Sequence, residues 1–548
     1  MANAAPPACI DASGAGTLNP LLAATGAQPS RPEPGPPSTQ ALAAWRSLER
    51  LFDRAFGSRA NPLRQLGALG FLAFWVLAVS GVWLYVVFDT AVGGAYASIE
   101  ALSRHPWSVG GLMRSLHRYA TDAFVLFTAL HLVREALLGR WRGFRGFSWW
   151  TGTALLPLLA VSAIGGFWLN WDRLGQYAAI ATAEWLDALP LLAQPLARNF
   201  LGVDAVSDRL FSLFIFVHLG VPLLLLFGLW FHIQRITAAS VFPARRLAAG
   251  TLATLLLLAA LAPVRGQGAA NLAEAAPLLA MDWFVLALLP LSDNIGAAAT
   301  WVLVLGGMLL LVLPPLWPSP RAPVAVVDPA NCNGCRRCFA DCPYAAITMA
   351  PHPDKRPGRE IAIVDADLCA SCGICAGACP SSTPFRSVQA LVTGIDMPQQ
   401  PIDGLRQQMQ AGLRSMSVPR PIVAFTCAQG AASAGLAADD VLVLPLICTG
   451  QLPPSFVEYA LRDGAAGVLV ASCRDTGCVY RLGARWTHER LDGAREPHLR
   501  QHVPAERLQT VQADLGETPE LVVALGRLRQ RLIQIKNFSP QSMKIHHV

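Results

Sequence analysis

The sequence has little charge. Asp, Glu, Lys and Arg make up only 14% of its 548 residues, whereas an average soluble protein has about 25%. Hydrophobic residues make up 53% of the chain, which argues against a wholly water-soluble protein. The 43 basic and 36 acidic residues give a net charge of +7 without a long basic run, and this argues against nucleic acid as a partner.

Cysteine is almost absent from the first 331 residues. Cys9 alone precedes Cys332, and the other twelve cysteines fall in tight groups. Such grouping indicates metal or redox chemistry rather than the disulfide framework of a small secreted domain. A signal-peptide pattern is also lacking, because residues 1 to about 45 are rich in Ala, Pro, Gly and Ser and have no basic segment followed by an apolar core. We expect a disordered or amphipathic cytoplasmic N-terminus.

Long apolar stretches occupy most of residues 66–317. They match the roughly 20 residues that a helix needs to cross a bilayer. A further apolar stretch, 278–290, is too short to span and is expected to form a surface or re-entrant helix. Six spans are predicted, at residues 67–88, 114–138, 148–169, 207–234, 247–264 and 296–316.

Three groups of arginines set the predicted orientation. With six spans they all lie on one side of the membrane, and the positive-inside rule makes that side the cytoplasm. The same rule puts everything after Trp317 in the cytoplasm, so we expect a multi-pass protein of the bacterial inner (cytoplasmic) membrane. The groups are Arg54, Arg59 and Arg64, then Arg140, Arg142 and Arg145, and then Arg235, Arg245 and Arg246.

Four histidines lie at two equal spacings. His117 and His131 are 14 residues apart in the second span, as are His218 and His232 in the fourth. Steps of about 100° and 1.5 Å per residue keep each pair within roughly 40° of one helix face and about 21 Å apart. His117 and His218 near the outside, and His131 and His232 near the cytoplasm, can then supply the axial nitrogens of two b-type haems. The alternative is polar residues hydrogen-bonded between helices, but ionisable residues inside a membrane are costly and usually functional.

This part of the chain resembles cytochrome b of the bc complexes and cytochrome b6. The similarity covers roughly residues 60–317 and is carried by residues 114–131, 150–172 and 211–232. It implies an all-α, four-helix di-haem bundle, and a homodimer is plausible by resemblance only. Four glycines repeat the 14-residue interval and would let haem faces approach the helix backbone closely. They are Gly67, Gly81, Gly152 and Gly166.

The loop before the last span carries a candidate quinone site. By resemblance, residues 269–284 lie where cytochrome b has its Pro-Glu-Trp-Tyr signature at the outer quinol site. Asp282 takes the carboxylate position and Trp283-Phe284 the aromatic pair, whereas Met281 replaces the proline. We hypothesise that Asp282 accepts a quinol proton as a catalytic general base, with its pKa adjusted by desolvation. The alternative is an interfacial Asp-Trp pair that anchors a surface helix.

Two cysteine runs of identical spacing follow the last span. Each reads C-x2-C-x2-C-x3-C-P, the bacterial ferredoxin run, in which the fourth cysteine ligates the other cluster. A zinc ribbon uses pairs of C-x2-C and would leave four cysteines unexplained. The expected ligands of one 4Fe-4S cluster are Cys332, Cys335, Cys338 and Cys379, and those of the other are Cys369, Cys372, Cys375 and Cys342.

The last four cysteines lie in a region that alternates apolar runs with helical segments. This alternation predicts a small α/β domain with a mostly parallel sheet, and loops at one sheet edge could bring the cysteines together. Four thiolates would suit a 2Fe-2S cluster or zinc, and reduced buried cysteines without a cofactor are the third possibility. The four are Cys427, Cys448, Cys473 and Cys478.

Residues 421–481 resemble the iron-sulfur delta subunit of methyl-viologen-reducing hydrogenase. The similarity is carried by Cys448-Thr449-Gly450, by the segments 454–457 and 464–470, and by the C-x4-C pair that ends the region. The resemblance implies a 2Fe-2S cluster and a partner that is a flavin-containing, heterodisulfide-reductase-type protein.

Together these features predict a multidomain fold, in which the transmembrane bundle and two further transmembrane helices precede a ferredoxin-like α+β domain and a small α/β domain. The expected function is that of a quinone-linked oxidoreductase subunit of a respiratory chain, acting between membrane quinone or quinol and a soluble cytoplasmic flavoprotein or heterodisulfide-reductase-like complex. The alternatives are a membrane anchor or docking module without quinone turnover, and the cytochrome subunit of a hydrogenase or formate dehydrogenase.

The expected order of carriers is quinone, outer haem, inner haem, the two 4Fe-4S clusters, the carboxyl-terminal cluster and the partner. Flow from a cytoplasmic donor to quinone is favoured, because low-potential ferredoxin-type clusters are poor acceptors from quinol. The expected domains are residues 1–60 (N-terminus), 61–240 (di-haem bundle), 241–320 (two helices and the quinone-site loop), 321–390 (ferredoxin domain), 391–420 (linker), 421–535 (hydrogenase delta-subunit-like domain) and 536–548 (tail).

Overall fold

The structure is a computed structural model that describes residues 40–189, 196, 201, 206–234, 240–274, 278–317, 322–354, 358–382, 391–500 and 503–535. The predicted tail, 536–548, and the first 39 residues of the predicted disordered N-terminus lie outside the described residues. The first half of the chain is helical. Its helices are α1 (Gln40–Phe56), α2 (Leu66–Val87), α3 (Val92–Arg104), α4 (Val109–Leu137), α5 (Gly146–Asn170), α6 (Arg173–Asp187), α7 (Asp208–Gln234), α8 (Arg245–Leu261), α9 (Leu288–Ile295) and α10 (Ala297–Val312).

Helices occupy all six segments that were predicted to span a membrane. Four helical stretches are long and apolar enough to cross one, at residues 66–87, 143–170, 208–234 and 297–316. Of the other two helices, α4 has 29 residues but contains several charged side chains, and α8 has only 17 residues. The predicted surface helix at 278–290 is instead α9, at 288–295. It starts later because the Asp282 side chain accepts hydrogen bonds from Phe284 N (3.0 Å) and Val285 N (2.8 Å), which favours a turn over a helix there.

The bundle is built from two helix pairs. α2 packs along α4, and α5 packs along α7. Ala73 and Phe74 of α2, Phe124 of α4 and Leu225 of α7 form a buried cluster between the pairs. α8 packs on the outside of α4, whereas α10 contacts α5 and α6. The four-helix arrangement therefore holds the two histidine-bearing helices, α4 and α7, in one unit.

The ferredoxin-like region is a small α+β unit. β1 (Val326–Val327) pairs with β4 (Ile395–Asp396), and β2 (Ile347–Pro351) pairs with β3 (Glu360–Val364), both in antiparallel register. Two short helices, α11 (Arg337–Ala340) and α12 (Ile374–Ala378), follow the first two cysteines of each run and contain the third. The buried cluster of this region contains cysteine side chains together with Ile347, Ala362 and Met397, so that its core is built around the cysteines.

The last region is a four-stranded parallel sheet in the order β6-β5-β7-β8. Its strands are β5 (Ile422–Cys427), β6 (Val441–Leu446), β7 (Gly467–Ser472) and β8 (Leu508–Gln512). Alternate residues of β5 face opposite sides of the sheet. Val423 and Phe425 pack against α13 (Ile402–Ser415) and α14 (Ser455–Arg462), whereas Ile422 and Ala424 pack against α16 (Thr518–Gln534). α15 (Gly483–Leu491) lies beside the carboxyl ends of the strands.

Residues 391–420, expected to be a linker, are folded over most of their length. They contain β4 and α13. α13 joins the core of the parallel-sheet domain because Ile402, Leu405 and Met409 recur on one helix face and are all buried. The ferredoxin strand β4 and the covering helix α13 are only a few residues apart, so the two iron-sulfur regions form one continuous structure.

A buried charge network attaches the parallel-sheet domain to the helical region. It joins α1, the start of α2 and the end of α4 to a turn after β8. Arg64 contacts Glu517 and Asp53, each at 2.8 Å, and Arg134 contacts Glu49 at 2.9 Å. The network has four arginines and four carboxylates, which balance in charge. They are Arg46, Arg64, Arg134 and Arg474, with Glu49, Asp53, Asp514 and Glu517.

Candidate redox-cofactor sites

The first histidine layer consists of His117 on α4 and His218 on α7. The centres of their rings are 6.3 Å apart. Two metal–imidazole bonds of about 2 Å each, together with the facing halves of the two rings, span about this distance. The two rings are therefore far enough apart to hold one haem iron between them, and His117 and His218 would be its protein ligands.

Hydrogen bonds orient both rings of this layer. His117 Nδ1 lies 3.0 Å from Ser80 Oγ, and that hydroxyl itself donates to Val76 O at 2.6 Å, so the imidazole is the donor. His218 Nδ1 donates to Ser162 O at 3.0 Å. With Nδ1 occupied as a donor on each ring, Nε2 has its lone pair free for a metal.

The second histidine layer consists of His131 on α4 and His232 on α7, which lie near each other. His232 Nδ1 lies 3.1 Å from Thr151 Oγ1, and this hydroxyl donates to Phe147 O at 2.9 Å. The imidazole is therefore again the donor. In both layers, therefore, a hydroxyl or carbonyl oxygen on one helix accepts a hydrogen bond from a histidine on a neighbouring helix and so fixes the tautomer of that histidine.

Each of the four predicted glycines lies against one of these imidazoles. A Cβ atom at Gly67 would lie 3.3 Å from Cε1 of His131, and one at Gly166 would lie 3.0 Å from Cε1 of His218. Such distances are too short for ordinary contact, so only glycine leaves the rings where they are. The pairs are Gly67 with His131, Gly81 with His117, Gly152 with His232 and Gly166 with His218.

Asp282 is paired with an arginine that the sequence analysis did not single out. Its carboxylate contacts the Arg118 guanidinium, and Arg118 also contacts Asp122 at 2.5 Å and lies 5.2 Å over the Phe167 ring. Arg118 follows His117 directly, so the structure brings Asp282 beside the first histidine layer. The sequence offered one indication of this pairing: Arg118 is a charged residue in a predicted membrane span, where charged residues usually have a partner.

Two cavities in the ferredoxin-like region are lined by cysteines. The first ferredoxin cavity contains Cys332, Cys335, Cys338 and Cys379 in its wall. The second ferredoxin cavity contains Cys342, Cys369, Cys372 and Cys375 in its wall. In each cavity three cysteines come from one run and the fourth comes from the other run.

The donor chemistry of these cavities suits clusters. Burial raises the pKa of Cys338 and of Cys372 to about 12, so binding of iron has to displace protons from the thiols. The described residues contain no group of three or more His, Cys, Asp or Glu side chains arranged for a single metal ion. Four cysteines in each cavity wall match the ligand set of a 4Fe-4S cluster.

The four-cysteine site is formed by Cys427, Cys448, Cys473 and Cys478, all of which are buried. Cys427 is the last residue of β5, Cys448 and Cys473 follow the carboxyl ends of β6 and β7, and Cys478 lies in the loop after β7. The sulfurs of Cys427 and Cys473 are 3.3 Å apart. Hydrogen bonds from Cys448 and Cys473 lower the pKa of both Cys427 and Cys478, which favours thiolates there.

The four-cysteine site and the second ferredoxin cavity both lie beside the bundle. Arg140, beyond the end of α4, donates to Cys478 O at 3.4 Å, so the four-cysteine site is next to the bundle. Cys448 and Cys372 share one buried cluster with Tyr344, which lines the second ferredoxin cavity and contacts Phe144 of the helical region. The two cysteine sites are therefore neighbours, and the expected order of electron carriers stays a prediction.

Comparisons with known proteins match three parts of the chain. Residues 53–239 match the family cytochrome b/b6/petB, residues 331–383 match a 4Fe-4S dicluster domain, and residues 422–536 match the delta subunit of methyl-viologen-reducing hydrogenase. A solved structure of a hyperthermophilic respiratory Complex III is similar over 49% of this chain and 80% of its own, at 18% identity and a TM-score of 0.39. The three resemblances predicted from the sequence are thus confirmed in the predicted order, and the chain is a membrane redox subunit with cytochrome b-like and iron-sulfur parts.

Proposed function

We propose that this chain exchanges electrons between membrane quinone and a soluble protein. It would bind two b haems in the two histidine layers, two 4Fe-4S clusters in the ferredoxin cavities and one 2Fe-2S cluster in the four-cysteine site. When bound, these groups supply one-electron transfer. The observation that carries the proposal is the set of contacts that joins the end of α4, one helical turn beyond His131, to the Cys478 loop, and the four-cysteine site to the second ferredoxin cavity.

The chain's own residues prepare each site. The histidines would hold the haems through Nε2, while the hydroxyls of Ser80 and Thr151 keep the Nδ1 protons in place. The four glycines leave room beside the rings. The apolar packing of the bundle keeps water away from both layers, so the energy of each charge state is set by fixed protein groups.

At the quinone end we propose that Asp282 accepts the proton of a quinol, as hypothesised from the sequence. Its contact with Arg118 favours the ionised carboxylate, which is the form a general base needs. The exposed rings of Trp283 and Phe284 supply an apolar surface beside it. The alternative, an anchor for the segment before α9, draws on the hydrogen bonds from Phe284 N and Val285 N to the same carboxylate.

At the other end the first ferredoxin cavity meets solvent. Cys335 in its wall is exposed, whereas all four residues of the four-cysteine site are buried. The soluble partner, a flavoprotein or heterodisulfide-reductase-like complex, would therefore contact the chain near Cys335 rather than at the carboxyl-terminal domain. This end would face the cytoplasm of a bacterium, with the bundle in the inner membrane. Net electron flow would run from partner to quinone, as the sequence analysis expects, and Asp282 would act as a base in the reverse reaction, the oxidation of quinol.

Reduction by quinol tests the proposal. Purified protein with its bound cofactors is mixed anaerobically with a short-chain quinol, and the visible spectra of the haems are followed. We expect haem bands of both layers to become reduced. A membrane anchor that carries cofactors without quinone turnover would leave both haems oxidised by quinol but reducible by dithionite, and that result would contradict the proposal.

A further inference from the structure

The four-cysteine domain touches the helical bundle at the second histidine layer. Arg140 donates to the carbonyls of Gly477 and Cys478, and Arg145 donates to Val479 O at 3.4 Å. Arg145 also contacts Glu135, one helical turn from His131, at 3.3 Å. These contacts hold the loop that follows β7 against the end of the bundle.

Arg481, two residues beyond this contact, belongs to the same loop. Its φ is +65°, in the left-handed region that costs free energy for a residue with a Cβ atom. Its backbone N donates to Cys478 O at 3.2 Å, which closes a tight turn immediately before α15. The fold therefore fixes the direction in which this side chain leaves the backbone.

Arg481 lies close enough to both members of the second histidine layer, His131 and His232, for its charge to act on them. Its Nε is inaccessible to solvent and has no hydrogen-bond partner among the described residues, and the same is true of Arg145 Nε. Arg140, Arg145 and Arg481 share Glu135 as a nearby carboxylate. This end of the bundle thus has an excess of buried positive charge, with donors left over for a further anion.

We propose that Arg481 completes the inner haem site by pairing with a propionate carboxylate of the haem held by His131 and His232. The inference rests on the proposed function, since it takes a haem to be bound there. A haem b carries two carboxylates, which match the unpaired donors in charge and hydrogen-bonding capacity. The four-cysteine domain would then be part of a haem site and not only its neighbour.

The test is a redox titration with chemical mediators, which does not depend on quinone turnover. Replacing Arg481 with Gln removes a positive charge near the inner haem. At a fixed ambient potential, the ratio of reduced to oxidised inner haem should therefore fall by about tenfold. The outer haem and the electron paramagnetic resonance (EPR) signal of the four-cysteine site should stay unchanged. Arg481→Lys, which keeps the charge, should restore most of the ratio. Arg485→Gln is the matched control, because Arg485 is exposed and pairs with Glu489.

An inner haem with an unaltered titration in Arg481→Gln would overturn the inference. If that variant does not assemble, Arg481→Lys decides: an inner haem that titrates as in Arg485→Gln supports the inference, and one shifted as far as expected for lost charge contradicts it. Failure of the proposed function looks different. Quinol would then not reduce the haems, whereas the mediated titration would still show the shift.

Discussion

At the scale of single residues, each imidazole of the two histidine layers lies against a glycine. In three of the four rings, Nδ1 also donates a hydrogen bond to a hydroxyl or carbonyl oxygen. These partners lie on α2 and α5, whereas the histidines lie on α4 and α7. The spacing of 14 residues in both helix pairs made the layers predictable from the sequence. The hydroxyls of Ser80 and Thr151 were not predictable, because serine and threonine occur in many helices without contacting a ligand.

Replacing Gly152 with Val should remove the haem of the second layer. A Cβ at this position would lie 3.0 Å from Cε1 of His232, so the ring has to move away from its position for ligation. Pyridine haemochrome analysis and visible redox spectra should show about half the wild-type haem, all from the first layer. Gly220→Val is the control, because no atom lies within 4 Å of a Cβ there and both haems should stay. Loss of both haems in Gly152→Val without unfolding would contradict the pairing.

Replacing Asp282 with Asn should slow quinol oxidation about a hundredfold, because a general base contributes at least that much, while haem content stays intact. The measurement is steady-state reduction of an artificial acceptor by quinol. Asp122→Asn is the matched control, since Asp122 also contacts Arg118 but has no proposed role. Equal quinol rates in the Asp282 variant and wild type would assign the carboxylate to anchoring.

At the scale of elements, α1 and the turn after β8 act as a clamp between the bundle and the parallel-sheet domain. Replacing Glu49 with Gln removes the buried carboxylate that Arg134 and Arg46 share. Removing one member of a buried ion pair costs about 3–5 kcal/mol, so the parallel-sheet domain should unfold or detach at lower temperature. Thermal unfolding followed by limited proteolysis measures this. Glu360→Gln breaks a pair with the exposed Arg336 and should have a much smaller effect, because exposed ion pairs contribute little to stability. An equal effect of the two changes would contradict the clamp.

Acid should loosen the same clamp. Burial alone would raise the pKa of Glu49, but attraction from Arg134, Arg46 and Arg64 outweighs it, so that the pKa lies below its ordinary value of 4.5. A lowered folded-state pKa gives stability that is present above pH 4.5 and is lost as pH falls through the folded value. Proteolytic release of the parallel-sheet domain should therefore rise below pH 4.5 in wild type. Glu49→Gln should weaken this acid dependence without abolishing it, because the pKa values of Asp53 and Glu517 are lowered too, where attraction from arginines outweighs burial. A variant that keeps the full dependence would show that Glu49 is not responsible.

Element types were predicted well where the chain has strong periodicity. The apolar runs of β5, β6 and β7 and the helices of the bundle follow directly from hydrophobic patterns. α13 was missed because its polar residues Gln407, Gln408 and Gln410 suggested a linker. Its buried face of Ile402, Leu405 and Met409 gains its partner only when the sheet forms, so the decisive information is tertiary.

At the scale of the whole molecule, the carboxyl-terminal domain returns to the bundle through Arg140 and Arg145. The four-cysteine site and the ferredoxin-like region therefore both contact the helical region. Sequence reasoning found every cysteine group but placed the four-cysteine site last, because chain order was its only guide. Contacts such as that between Phe144 and Tyr344, at 4.4 Å, depend on side chains more than 190 positions apart.

The central claim is that two histidine layers in one bundle hold two separate haems beside three iron-sulfur sites. An anaerobic redox titration of wild type and of His131→Ala, followed by visible and EPR spectroscopy, tests it most directly. We predict two haems with resolved transitions in wild type, loss of only one of them in His131→Ala, and cluster signals in both proteins. A single haem transition in wild type, or loss of both haems in the folded variant, would contradict the claim.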